Sequence, residues 1–168
     1  MSTTTPQSSR EIEIGPLLIS IAIPLVLGVI IGFVFTRPEI PGWYASINKP
    51  SFTPPSWVFG PVWSIMYILI GTAAYLVWQR RDDSLQFINT RMVYVIQLLF
   101  NFSWSYIFFK MHLILGGLII IFILLFSILL TISMFYKYNK TAGRLLIPYL
   151  VWVSFATALN LGVFLLNK

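Results

Sequence analysis

Three short sets of side chains have the spacing to share one helical face and the chemistry to hold a ligand. Asn101, Trp104, Ser105 and Phe108 follow i, i+3, i+4, i+7 spacing, and Tyr149, Trp152, Ala156 and Asn160 follow i, i+3, i+7, i+11. Trp63 and Tyr67 stand one turn apart. The polar atoms in these sets are amides, hydroxyls and indole N–H groups, and aromatic rings accompany all of them. Such groups orient a ligand with few polar edges, while ring faces stack on a flat apolar body. General acid–base work or metal binding would ask for carboxylates, imidazoles or thiols, and these faces carry none. His112, the sole histidine, lies in a short loop and reads as a solvated residue; there is no cysteine. With no Ser/His/Asp set, metal constellation or phosphate-cradling glycine loop, no metal or cofactor is expected and hydrolysis is a poor reading.

The elements that must position these faces follow from composition. Of 168 residues, 58% are hydrophobic and 10% charged, more apolar side chain than a soluble domain can hide. Five apolar runs are long enough to cross a hydrocarbon core as helices: about Pro16–Phe35, Trp57–Trp78, Ile88–Phe109, Leu113–Phe135 and Leu145–Leu166. No segment alternates with a strand's period, so the expected fold is an all-α integral membrane protein, a single bundle of five transmembrane helices over residues 16–168. The Ser/Thr-rich residues 1–15 read as a polar, disordered tail. The net charge of +6 comes from cations scattered between apolar runs rather than from a basic stripe, which excludes nucleic acid as partner and leaves the bilayer. Seven cations (Arg10, Arg80, Arg81, Arg91, Lys137, Lys140, Arg144) fall on the amino-terminal side, against Arg37, Lys49, Lys110 and Lys168 on the other. That bias predicts a cytoplasmic amino terminus and an outward-facing first loop.

No span carries a carboxylate, His or Arg at its centre, which argues against ion-coupled transport. Buried amides in a membrane must find partners, so the polar faces should point into the bundle; helix-to-helix hydrogen bonding alone is the plainer reading of Asn101 and Asn160. Trp43, Trp57 and Trp78 also fit the ordinary interfacial belt, whereas Trp63 and Trp152 lie inside their spans. The fourth span, Ile/Leu/Phe almost throughout, reads as lipid-facing. Gly28 and Gly32 form a small-xxx-small pair, suited to packing within the bundle or to a dimer seam.

Between the first two spans, at about 36–56, lies a loop rich in proline. Pro50, Pro54 and Pro55 fix backbone angles and restrict their predecessors, so the loop holds a shape at little entropic cost. Ser56 is a candidate cap for the second span, and Pro61 tightens its first turn. Trp43, Phe52, Trp57 and Phe59 would then roof the bundle. A rigid aromatic lid over a neutral aromatic cavity suits a planar, hydrophobic ligand.

The stretch WYASINKPSFTPPSWVFGPVWSIMY resembles the signature of the tryptophan-rich sensory protein family, also called translocator protein or peripheral-type benzodiazepine receptor. LLFNFSWSYIFF is similar to that family's third-span motif and LLIPYLVWVSFATALN to its fifth, so the resemblance covers about Trp43 to Asn160. It implies a five-helix bundle, a homodimer, that binds porphyrins such as protoporphyrin IX in a pocket under the first loop. By matching motifs, the lining would include Trp43, Trp63, Asn101, Trp152, Ala156 and Asn160, to which the third-span face adds Trp104. Family members also bind isoquinolines, benzodiazepines and, in animals, cholesterol. Phe52 stands where the family often has tryptophan, and Leu161 where its sterol motif wants tyrosine; the second departure counts against cholesterol. A loose sterol pattern, Leu130 to Lys140, occurs elsewhere.

Three functions compete on this reading. The first is a binding protein, sensor or transporter, for tetrapyrroles. The second is a light- and oxygen-dependent porphyrin-degrading enzyme in which Trp63 and Trp152 are the redox-active side chains and the ligand supplies the photochemistry. The third is a scaffold with an incidental cavity.

Overall fold

The computed structural model describes residues 11–168. Most of the expected polar tail therefore lies outside the described residues, and α1 begins at Ile14 rather than Pro16. All regular structure in the described residues is helical. Five helical segments are long and apolar enough to cross a membrane: Ile14–Glu39, Ser56–Trp78, Leu85–Lys110, Ile114–Tyr138 and Lys140–Leu166. The protein is an integral, multi-pass membrane protein.

The first segment is α1 (Ile14–Ile31), continued by a π turn at Gly32–Thr36 and a 3-10 turn at Arg37–Glu39. A four-residue helix, α2 (Trp43–Ser46), lies in the first loop. Two spans follow, α3 (Phe59–Trp78) and α4 (Leu85–Ser105), and α4 also ends in a π turn, Tyr106–Lys110. The last two spans are α5 (Ile114–Tyr138) and the pair α6 (Lys140–Leu145) and α7 (Ile147–Leu166), which bend at Leu146. Ser84 caps α4, its hydroxyl accepting from the Phe87 N–H at 3.1 Å. Asp82 in turn accepts from Ser84, which holds its carboxyl below the ordinary range. Asn139 caps α6 through Thr141 and Ala142. Ser56, however, makes no side-chain cap: Pro55 takes the cap position of a short 3-10 turn, Ser56–Val58, that leads into α3. Fixed proline geometry delivers the chain to the helix, and the hydroxyl is not needed for it.

α1 packs chiefly on α3, and α5 lies between α4 and α7. The α1–α3 contact is close because of Gly71: a β-carbon there would sit 2.4 Å from the Ser20 carbonyl oxygen and 2.5 Å from the Ile21 Cα. Pro24, inside α1, lacks the N–H that would bond the Ser20 carbonyl, so α3 presses its smallest residue against an acceptor the helix has left open.

α5 is not the lipid-facing helix its composition suggests. It buries a stripe at helical spacing (Gly117, Ile121, Leu124, Ile128, Thr131 and Phe135), while α1 is the least buried span. Lipid tails are as apolar as leucine, so a uniformly aliphatic run carries no mark of which neighbour it meets.

The first loop, the α4–α5 connection and the carboxyl end of α7 share one end of the bundle. Asn48 and Asn167 clasp across it: the Asn48 N–H donates to the Asn167 side-chain oxygen at 2.9 Å, and the Asn167 amide donates to the Asn48 carbonyl at 2.8 Å. Pro50 fills the notch left by Gly162. At the other end, the Tyr75 hydroxyl accepts from the Glu13 N–H at 2.7 Å and from Gln79 at 2.8 Å. The described chain thus begins and ends at opposite ends of the bundle, as five crossings require.

Candidate ligand site beneath the first loop

Beneath the loop is a cavity of about 400 Å³, walled by α1, α3, α4 and α7. Nothing on α5 lines it. Gly28 of α1 with Gly32 and Phe33 of the π turn after it form one wall; Trp63 and Tyr67 form the α3 wall; Trp104 comes from α4 and Phe108 from the π turn that ends it, and Ala156 and Asn160 from α7. Ile40, Tyr44 and Trp57 close it toward the loop, with Arg37 at the same rim. The Gly28/Gly32 pair thus serves the bundle's interior. Tyr67 lies so close to Gly28 that a β-carbon would meet its ring at 2.0 Å, and Gly32 leaves open space.

The rings are ordered by one another. Trp63 stacks on Tyr67 with centroids 5.6 Å apart and meets Tyr149 edge-on at 6.2 Å. Trp104 stacks on Phe108 at 5.4 Å, and Phe108 in turn meets Trp43 edge-on at 5.4 Å. Flat faces fixed by neighbours lose little entropy when a planar ligand stacks on them.

Below the cavity a polar network fixes its floor. The Tyr67 hydroxyl donates to the Asn101 oxygen at 2.9 Å, the Asn101 amide donates to the Tyr149 hydroxyl at 2.8 Å, and Gln97 donates to the same hydroxyl at 2.6 Å. Both ends of the Asn101 amide are therefore engaged. Asn160 is used differently: its oxygen accepts from the Trp104 indole N–H at 3.0 Å, while its amide nitrogen, buried at the cavity wall, has no partner. A buried donor in that position is available to a ligand acceptor.

Of the residues singled out from sequence, Trp63, Trp104, Ala156 and Asn160 meet at the cavity. Asn101 stands behind it in the network. Trp43 lies on α2 and stacks on His112, with centroids 4.5 Å apart and planes 10° from parallel. Trp152 packs against Phe59 and Phe155, and its indole N–H is buried without a partner. His112 is not a bystander. Its Nε2 lies 2.9 Å from a Glu39 oxygen, and Lys110 is 3.6 Å from the other, so the tops of α1 and α4 are tied across the loop. Trp57 and Phe59, expected in the roof, line the cavity, and so do Tyr44, Phe109 and Arg37, which sequence reasoning did not single out. Tyr44 had a readable signal, its place beside Trp43 in an aromatic, proline-bounded loop. The first loop is further knitted by Lys49, whose ammonium donates to the Tyr44 carbonyl at 2.6 Å and the Ile47 carbonyl at 2.8 Å.

Comparison with known proteins agrees with this architecture. Residues 20–166 match the family model described as TspO/MBR family. The chain is 41% identical over 153 residues to the tryptophan-rich protein TspO of Archaeoglobus fulgidus, covering 90% of this chain and 96% of that protein. It is 36% identical over 135 residues to the translocator protein of Homo sapiens, covering 80% of each. To the protein CrtK of Rhodobacter capsulatus it is 34% identical over 125 residues, covering 74% of this chain and 78% of that one. With a match that runs through all five spans, the chain belongs to the TspO/MBR family.

Proposed function

We propose that this protein is a membrane binding protein, a sensor or carrier, for flat and largely apolar ligands of the tetrapyrrole class such as protoporphyrin IX. The observation that carries the reading is the cavity itself: about 400 Å³, walled by the stacked rings of Trp63, Tyr67, Trp104 and Phe108, with a single unpartnered amide donor at Asn160. Volume, aromaticity and sparse polarity are those of a small-molecule site. Family membership supports it, and so does the absence of a carboxylate or imidazole among the lining residues, which leaves binding rather than proton transfer as the task.

The test is a dark titration of purified protein with protoporphyrin IX, following tryptophan fluorescence, then illumination of the same sample. Saturable quenching with an unchanged absorption spectrum is the expected result. Trp63→Phe should keep binding within a few-fold, and Trp63→Ala should weaken it about tenfold or more, since ring stacking contributes roughly 1–3 kcal/mol per aromatic face. No saturable quenching would overturn the porphyrin assignment. A new absorption band after illumination, lost in Trp63→Phe, would replace the carrier with a light-dependent enzyme. Sterols are not part of the proposal: the Leu130–Lys140 pattern lies at the far end of α5 from this cavity.

A further inference from the structure

Most of the basic side chains are occupied within the protein. Lys110 pairs with Glu39, Lys49 binds carbonyls of its own loop, and Arg80 donates to the Tyr138 carbonyl. Arg37, Arg81 and Lys168 lie over the rings of Phe33, Trp78 and Phe164. Among the described residues the remaining four, Arg91, Lys137, Lys140 and Arg144, have no ion pair, hydrogen bond or ring partner, and all four are exposed. They are not scattered. Arg91 is on α4, Lys137 is in the last turn of α5, and Lys140 and Arg144 stand one turn apart on α6. α4 packs on α5 and α5 on α6, so the four share one arc of the bundle at its amino-terminal end. No carboxylate side chain follows Asp83 in the sequence, so the helices of this arc contain none.

The corner where α5 meets α6 is held in place. The Tyr136 ring fills the space beside Gly143, where a β-carbon would meet it at 2.1 Å, and this fixes the end of α5 against the helix that carries Lys140 and Arg144. At about 1.5 Å per residue α5 is ~37 Å long and outreaches a hydrocarbon core of about 30 Å, so its last turn and the start of α6 stand at headgroup level. On the same face of α5 as Lys137, at i−7 and i−11, Leu130 and Phe126 are 41% and 63% exposed. Charge at the level of the phosphates therefore continues into an aliphatic strip at the level of the chains. From this juxtaposition we propose that Lys137, Lys140 and Arg144 form a docking site for an acidic phospholipid. Lys140 and Arg144 take its headgroup phosphate, and its acyl chains lie along Leu130 and Phe126. Each basic side chain near an acidic leaflet contributes about fivefold to the attraction. The site is remote from the cavity beneath the first loop and does not depend on the function proposed for it.

The experiment is native mass spectrometry of the full chain released from nonionic micelles that hold equal amounts of phosphatidylglycerol and phosphatidylcholine with the same acyl chains. The wild type should retain phosphatidylglycerol over phosphatidylcholine by about tenfold or more. Lys140→Gln with Arg144→Gln should bring that ratio to within about threefold of parity, and Lys140→Arg with Arg144→Lys should keep it. Lys168→Gln, at the opposite end, should leave it unchanged. A thermal melt accompanies every variant; should the double glutamine variant not fold, Lys140→Gln alone should lower the ratio about fivefold. Equal retention of the two lipids by the wild type overturns the proposal. So does a preference that survives Lys140→Gln with Arg144→Gln, which would place the lipid elsewhere. A loss of equal size in Lys168→Gln would show that net charge acts rather than this corner. Retention of a second copy of the chain in place of lipid, lost in the double glutamine variant, would assign the corner to a protein contact and overturn the proposal as well.

Discussion

Asn101, behind the cavity on α4, and Asn160, on its α7 wall, are the same residue type, and the structure uses them in opposite ways. Asn101 commits its oxygen to Tyr67 and its nitrogen to Tyr149, whereas Asn160 commits its oxygen to Trp104 and keeps a buried donor open. Asn101→Ala should therefore act mainly on stability, leaving two buried tyrosine hydroxyls short of a partner at roughly 1–3 kcal/mol. The expected signature is a lowered melting temperature with a ligand affinity changed less than threefold. Trp63→Ala should do the reverse, costing affinity more than stability. A larger loss of affinity in Asn101→Ala than in Trp63→Ala would show that ligand displaces the network. Spacing placed both asparagines on the right helical faces. Partner choice was not readable, because the partners lie 34, 48 and 56 residues away in sequence. Trp152 shows the same limit: its period matches Ala156 and Asn160, yet its ring turns to Phe59 and Phe155.

Among the elements, span boundaries were legible to within a few residues because hydropathy sets them, while helix neighbours were not, as α5 demonstrates. The contact of α1 with α3 depends on Gly71, and Gly71→Val should push the helices apart, since the atoms in the way are backbone and cannot rotate aside. Such overpacking costs about 1–3 kcal/mol or more and should appear as a lower melting temperature. Gly32→Ala, with open space around it, should melt like the wild type. Prolines made the loop's rigidity readable, but not the clasp that seats it, which joins residues 119 apart. Asn167→Ala should raise amide exchange across residues 43–55 and leave exchange in α5 unchanged. Unaltered exchange in the loop would mean that Pro50 in the Gly162 notch suffices. The paired π turns at Gly32–Thr36 and Tyr106–Lys110 left no sequence signal. They face each other through Phe35 and Tyr106, with ring centroids 5.1 Å apart, beside the cavity both help to line.

For the molecule as a whole, five crossings place the loop and its cavity at the end opposite the amino terminus. The cation bias predicts that this end faces outward. These 168 residues include no cysteine, so Ser51→Cys in the loop offers a single reporter. It should react with an impermeant maleimide added to intact cells; labelling only after permeabilisation would reverse the orientation. The flank of the cavity between α1 and the start of α3 has a different kind of consequence. Val29, Phe33 and Trp57 line the cavity and are 53%, 61% and 75% exposed, so little other protein covers this flank. An equilibrium constant referred to water does not depend on the route by which ligand arrives, but a rate does. A ligand crossing this wall searches within the plane of the bilayer, so its arrival frequency follows its mole fraction in lipid. Across a series of ligands with equal pocket contacts, association rates measured by stopped flow should climb with the membrane partition coefficient while dissociation rates stay level.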